Sequence, residues 1–256
     1  DIKDVFLKLK LKDTSIKINT NNPKIFSGKK FIELSKIEID LDIIKFFKNE
    51  NSIKKVEIAT KENSIKNITD FINSYKFNLK QFIIFNQIKE GKAKISANIY
   101  FDQENKSNYR YIVKGKIKDA KLNIINKVSI DNINFNFKLE DQNFVFENIN
   151  LKYDKIEFAS KKTTIKKLDN IFKVKGDLSN KKTTLNPNSI SKLFNLNFDF
   201  INQDKILLET NSDFSFNIDT KRKIKDLNYK SNLIFDKIII NKKYQDLIFL
   251  SDGKIE

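Results

Sequence analysis

The chain has 256 residues, with 49 Lys+Arg against 33 Asp+Glu and a formal net charge of +16. Histidine, cysteine, methionine and tryptophan are all absent. No Ser-His-Asp or Cys-His nucleophile, no His/Cys zinc, haem or iron–sulfur site and no disulfide can therefore be built. A hydrophobic fraction of 39%, with 23 Phe and 7 Tyr, is enough apolar material for a folded core.

The N-terminus from Asp1 to Lys12 alternates apolar and charged residues and contains no signal-peptide core. Val5, Leu7, Leu9 and Leu11 fall on one side of a strand, with Lys8, Lys10 and Lys12 on the other. Ile37, Ile39 and Leu41 repeat the pattern against Glu38, Asp40 and Asp42. The stretch from Asp42 to Lys48 then breaks it and reads as a short helix. Ser64 to Tyr75 places Ile65, Ile68, Phe71 and Ile72 at helical spacing behind an Asn63/Ser64 cap. Phe77 to Gln87 fits either helix or strand.

Alternation returns at Ile95, Ala97 and Ile99, and at Ile133, Phe135, Phe137 and Leu139. The phase slips between Ile130 and Ile133, which calls for a bulge or short turn at Asp131-Asn132. Phe144 and Phe146, Phe198 and Phe200, and Phe214, Phe216 and Ile218 continue the series. Pro187 to Asn195 reads as a third short helix, with Pro near its start. Five Gly and two Pro are few for so many strands, so the turns must rely on Asn, Asp and Ser. No apolar run approaches the about 20 residues of a spanning helix. With no Met at position 1, the chain is expected to be a piece of a longer protein, with any membrane anchor outside it.

Two echoes suggest a repeated meander unit. Val113-Lys114-Gly115-Lys116-Ile117 resembles Val174-Lys175-Gly176-Asp177-Leu178. Lys55-Val56-Glu57-Ile58-Ala59-Thr60-Lys61 resembles Lys155-Ile156-Glu157-Phe158-Ala159-Ser160-Lys161. A long antiparallel meander with one apolar face can meet a second sheet, close into a barrel, or form a trough that holds something apolar. The predicted helices are too short to cover that face.

Leu34 to Phe47, Ile53 to Ile58 and the helix Ile65 to Ile72 together resemble the strand–helix–strand–helix opening of AsmA-like proteins. The segments from Ile88 to Ile99, Tyr111 to Ala120 and Val128 to Phe135 are similar to the repeating segments of the YhdP/TamB-type members. The resemblance implies a mainly β fold: an elongated, twisted antiparallel meander forming an open groove with an apolar interior, plus a few short helices. It divides the chain into an AsmA-like N-terminal segment, 1–78, and a continuing repetitive β-groove, 79–256. It also implies a non-enzymatic lipid-transfer role in the Gram-negative envelope, with the full-length protein anchored in the inner membrane and extending through the periplasm. The expected partners are phospholipids, the inner membrane and other envelope proteins. Nucleic acid is not among them, and no cofactor is expected.

The groove-lining candidates are the alternating residues: Val5, Leu7, Leu9, Leu11, Ile37, Ile39, Leu41, Ile95, Ile99, Ile133, Phe135, Phe137, Leu139, Phe144, Phe146, Phe198, Phe200, Phe214, Phe216 and Ile218. Each serves equally well as ordinary core. The alternative class is a structural or adhesive β-sandwich or solenoid with no lipid ligand. A basic nucleic-acid-binding domain is a third, but Arg110 and Arg222 are the only arginines and the lysines are dispersed, so the charge reads as a solvated face. Asp40 and Asp42 share a strand face without forming an acid–base pair. Asp102, Glu104 and Asp119 lack metal-loop spacing, and Gly115 and Gly176 are isolated. Tyr109-Arg110-Tyr111 is expected to make a cross-strand aromatic pair.

Overall fold

Alternation of apolar and polar residues, bounded by Asn and Asp, produces a fold that is mainly β: one long antiparallel meander, not closed, with two short helices. The computed structural model describes residues 4–10, 12, 14–75, 87–102, 108–124, 128–153, 156–187, 199, 202, 205–221, 223–235, 239, 241–244 and 254–255. The chain divides into two compact units, Asp1–Ile149 and Asn150–Glu256.

Unit 1 contains β1 (Asp4–Lys10), β2 (Ser15–Asn21), β3 (Lys24–Ser27), β4 (Lys30–Asp42), α1 (Ile43–Phe47), β5 (Ile53–Thr60), β6 (Asn63–Ser64), α2 (Ile65–Tyr75), β7 (Ile88–Phe101), β8 (Tyr109–Ile124) and β9 (Val128–Glu140). The strand β10 (Asn143–Tyr153) carries the boundary. Hydrogen-bonded neighbours run β1-β2-β4-β5-β7-β8-β9, with β3 paired to β4 and β6 to β7. Unit 2 holds β11 (Ile156–Leu168), β12 (Ile171–Leu185), β13 (Ile206–Asp219), β14 (Ile224–Phe235) and β15 (Lys254–Ile255), neighbours in that order.

Both predicted N-terminal helices form, each with a side-chain cap. The Asp42 carboxylate accepts from the Lys45 N–H at 3.0 Å and starts α1. The Ser64 hydroxyl accepts from the Asn67 N–H at 3.0 Å and starts α2. The side chain of Asn63, itself buried, accepts from the Glu33 N–H and donates to the Glu33 and Lys61 carbonyls. That clamp binds the break between β5 and β6 to β4. The helix expected from Pro187 to Asn195 lies outside the described residues beyond Pro187, as does nearly all of Phe77 to Gln87.

Turns follow the expected chemistry. Asp141 (φ 52°) and Asp169 (φ 45°) take the left-handed conformation in the β9–β10 and β11–β12 hairpins. Gly28 (φ 59°) does so between β3 and β4. The slip between Ile130 and Ile133 is a bulge and not a turn: β9 continues through it, with Asn132 at φ 51°. Across it Asp119 of β8 sits at φ 50°. Asn134 holds both irregularities, accepting from the Asp119 N–H at 3.1 Å and donating to the Asn132 carbonyl at 2.8 Å.

The two sequence echoes are local devices. Ala59 faces Ser96 and Asn63 faces Ala93, so four steps along one side oppose three on β7. In unit 2 Ala159 faces Ser179 and Thr163 faces Gly176, the same one-residue excess. Gly115 lies directly opposite Phe137, and Gly176 opposite Phe214. In each pair the missing side chain leaves room for an aromatic ring on the next strand. The two echoes are offset by 100 and 61 residues, so they share no common period.

Candidate functional site

Strand register assembles one apolar face across unit 1. Val5, Leu7 and Leu9 of β1 stand opposite Thr20, Ile18 and Ile16 of β2, which face Ile37, Ile39 and Leu41 of β4. Ile37 and Ile39 face Ile58 and Val56, and these face Ala97 and Ile99. Ala97 and Ile99 face Val113 and Tyr111 of β8, and Val113 faces Leu139. The next rows are Ile95, Gly115 and Phe137, then Ala93, Ile117 and Phe135. On β10, Phe146 meets Phe135 edge to face with ring centroids 5.6 Å apart.

Cover on this face is partial. Ile65 of α2 packs with Ala93 and Ala120, and Ile68, Ile88, Ile95, Ile117 and Ile133 gather around them. That cluster is one buried centre of unit 1; Leu34 and Pro23 are buried apart from it. The rows from β2 to β8 are only half-buried: their side chains shield one another laterally. On β1 the exposure rises to 57% at Val5, 72% at Leu7 and 61% at Leu9. A contiguous apolar surface of this kind is uncommon on a folded chain.

The structure brings most of the predicted lining residues together. Val5, Leu7, Leu9, Ile37, Ile39, Leu41, Ile95, Ile99, Ile133, Phe135, Phe137, Leu139, Phe144 and Phe146 occupy alternate positions on this one face of unit 1. Phe214, Phe216 and Ile218 share a face within unit 2, opposite Gly176, Val174 and Phe172. The rings of Phe214 and Phe216 stack at 6.0 Å. Leu11, Phe198 and Phe200 lie outside the described residues.

Residues of these rows missing from the sequence-based lining set are Ile16, Ile18, Val56, Ile58, Ala93, Ala97, Tyr111, Val113 and Ile117. Their signal was the same period of two, in shorter runs flanked by lysine. The expected cross-strand aromatic neighbour is present: Tyr109 of β8 stands opposite Phe101 of β7. The Tyr109 and Tyr111 rings also adjoin along β8, centroids 6.4 Å apart. They face Phe101 and Ile99, while Arg110 between them pairs with Glu140 on the other side of the sheet.

That opposite face is charged and largely self-neutralised. Lys17 donates to Glu38 at 2.5 Å; this hydrogen bond lowers the Glu38 carboxyl below its ordinary value and raises the Lys17 ammonium. Glu57 is lowered first by its hydrogen bond from Lys36, with Lys55 adding to it. Glu62 bridges Lys118 at 2.9 Å and Lys92 at 3.4 Å. Asp42 is occupied by capping α1 and by Lys54 at 3.0 Å. Asp40 faces Lys17 on one side and Lys55 on the other. The charges therefore serve as the wet side of the strands, and the chemistry available on the apolar side is burial.

No family model, no curated protein and no solved structure matches the chain.

Proposed function

We propose that the chain is a non-enzymatic lipid-binding segment that holds phospholipid acyl chains against the apolar face of unit 1. One observation carries this reading. Seven consecutive strand neighbours present apolar residues in register on one face, and that face is half-buried over its middle rows and more exposed at β1. Each methylene that leaves water for such a surface contributes about 0.8 kcal/mol, so chain-length hydrocarbon is retained with no reactive or hydrogen-bonding group. The absence of His and Cys costs this role nothing. The resemblance to AsmA-like proteins supports the wider context: a part of an inner-membrane-anchored, periplasm-spanning protein that moves phospholipid toward the outer membrane.

Expression in bacteria followed by native mass spectrometry and lipid extraction tests the reading. Phospholipid should co-purify in defined stoichiometry. The double substitution Leu7→Asp and Leu9→Asp alters exposed positions and should leave the fold intact, as judged by circular dichroism, while lowering lipid occupancy. A folded protein that carries no lipid and does not quench or enhance a fluorescent fatty acid refutes the proposal.

A further inference from the structure

The opposite face of unit 1 holds a feature that acyl-chain binding does not use. A concavity of about 490 Å³ is lined by Ala59, Ser96, Asn136, the lysines Lys94, Lys114, Lys116 and Lys138, and one carboxylate residue, Glu147, with Ile95, Gly115 and Phe137 completing it. Register explains its shape. Ala59 and Ser96 are small side chains adjacent in one row, and Lys114 and Lys138 follow in the same row; Lys94, Lys116 and Asn136 form the next. Short side chains make the floor, and the aliphatic stems of long ones make the walls.

Two like-charged pairs stand directly across strands here: Lys94 opposite Lys116, and Lys114 opposite Lys138. Such pairs destabilise a sheet. Several other lysines on this face are answered by carboxylates: Lys17 by Glu38, Lys36 by Glu57, Lys92 and Lys118 by Glu62. Lys138 has Glu140. No ion pair joins Lys94, Lys114 or Lys116 to a carboxylate among the described residues. Four lysines thus line the hollow against one carboxylate residue, Glu147.

We propose that this hollow is a binding site for a compact, multiply charged anion of the oligophosphate class. The lysines form a staggered array, Lys94 on β7, Lys114 and Lys116 on β8 and Lys138 on β9, with about 6.8 Å between alternate residues along a strand and about 4.8 Å between strands. Several ammonium groups can therefore converge on charges only a few ångströms apart. Lysine without arginine suits a cluster of phosphate charges and not the bidentate reading of a base edge. The lining holds no Tyr or Trp and its one aromatic, Phe137, points to the apolar face, so nothing is placed to stack on a nucleobase. Successive residues of a strand point to opposite faces, so these lysines lie on the other side of the sheet from a lipid whose tails rest on Ile95, Ile117 and Phe137. The site is independent of the acyl-chain reading and stands or falls separately.

Titration of the whole chain with inorganic tripolyphosphate, followed by calorimetry, tests the proposal. Binding should be saturable at one site per chain, tighter than for orthophosphate, and weakened severalfold between about 50 mM and about 200 mM salt. The double substitution Lys94→Gln and Lys116→Gln should weaken it by about tenfold or more. Lys36→Gln with Lys92→Gln removes the same net charge from the same face, but from lysines already paired, and should change affinity by less than about twofold. Circular dichroism confirms that both variants fold. Equal loss in the two variants refutes a localised site, as does tripolyphosphate binding no tighter than orthophosphate. Binding of anionic vesicles, an acidic peptide or a DNA oligomer while tripolyphosphate fails to bind also overturns the proposal.

Discussion

Gly115→Ala is the sharpest probe of how the apolar face is packed. A methyl carbon built at Gly115 would lie 2.5 Å from two ring carbons of Phe137 and 2.8 Å from the Lys94 carbonyl oxygen. In an unstrained strand position, Gly→Ala stabilises by about 0.4–1 kcal/mol because the unfolded chain has fewer states to lose. Here the ring and the carbonyl must both give way, and overpacking of this kind costs about 1–3 kcal/mol. The balance is a net destabilisation of about 1–2 kcal/mol. Part of the clash is with a side chain and part with backbone, so shortening the ring should recover only a share. Urea unfolding followed by tyrosine fluorescence would measure Gly115→Ala, Phe137→Leu and the double variant as a cycle. The expected interaction between the two sites is favourable: the double variant loses less than the sum of the singles. Unchanged or raised stability in Gly115→Ala, or strict additivity in the cycle, would refute the idea that Gly115 exists to seat Phe137.

Three further outcomes follow from the geometry. Asn63→Ala removes three hydrogen bonds that join the β5–β6 break to β4, and should cost about 2–3 kcal/mol and speed hydrogen exchange at the Glu33 amide. Ile65→Ala opens the cluster with Ala93 and Ala120 at the helix–sheet contact; a loss of about 2–4 kcal/mol with increased proteolysis within α2 is expected. Acid should destabilise unit 1. Glu38 and Glu57 have folded values below the ordinary 4.5, so their contribution is complete above that pH and is lost as pH falls through the lowered values. Urea midpoints should be level from neutrality down to about pH 5 and fall below it, and Glu38→Gln with Glu57→Gln should flatten the fall.

Much of this architecture was legible in the sequence because a period of two is a direct consequence of strand geometry. Ile37, Ile39 and Leu41 could be placed on one face, and Glu38, Asp40 and Asp42 on the other, from their spacing alone. The cap at Ser64 was readable for the same local reason, a short polar side chain satisfying an N–H a few residues ahead, whereas Asp42, read as the first residue of its helix, is its cap. The slip at Ile130 to Ile133 announced an irregularity, but its form depended on Asn134, which ties Asn132 to Asp119 across two strands. Tyr109 and Tyr111 show the limit of local reading, since alternation places them on a common side without saying which strand they meet.

Composition and alternation thus determined a mainly β chain with one apolar side, built from turns of Asn and Asp and without thiol or imidazole chemistry. Register was decided only by the tertiary structure, because it depends on bulges held by groups distant in sequence. It was register that joined Leu7, Ile18, Ile39, Val56 and Ile99 into a continuous row. It seated Phe137 over Gly115, and it gathered Lys94, Lys114, Lys116 and Lys138 around one hollow. Dispersed in the sequence, those lysines read as solvent-facing charge; only pairing across β7, β8 and β9 brings like charges face to face. The physical reason is the same in each case: the pleat assigns a residue to a face, but the neighbours it meets there come from other strands.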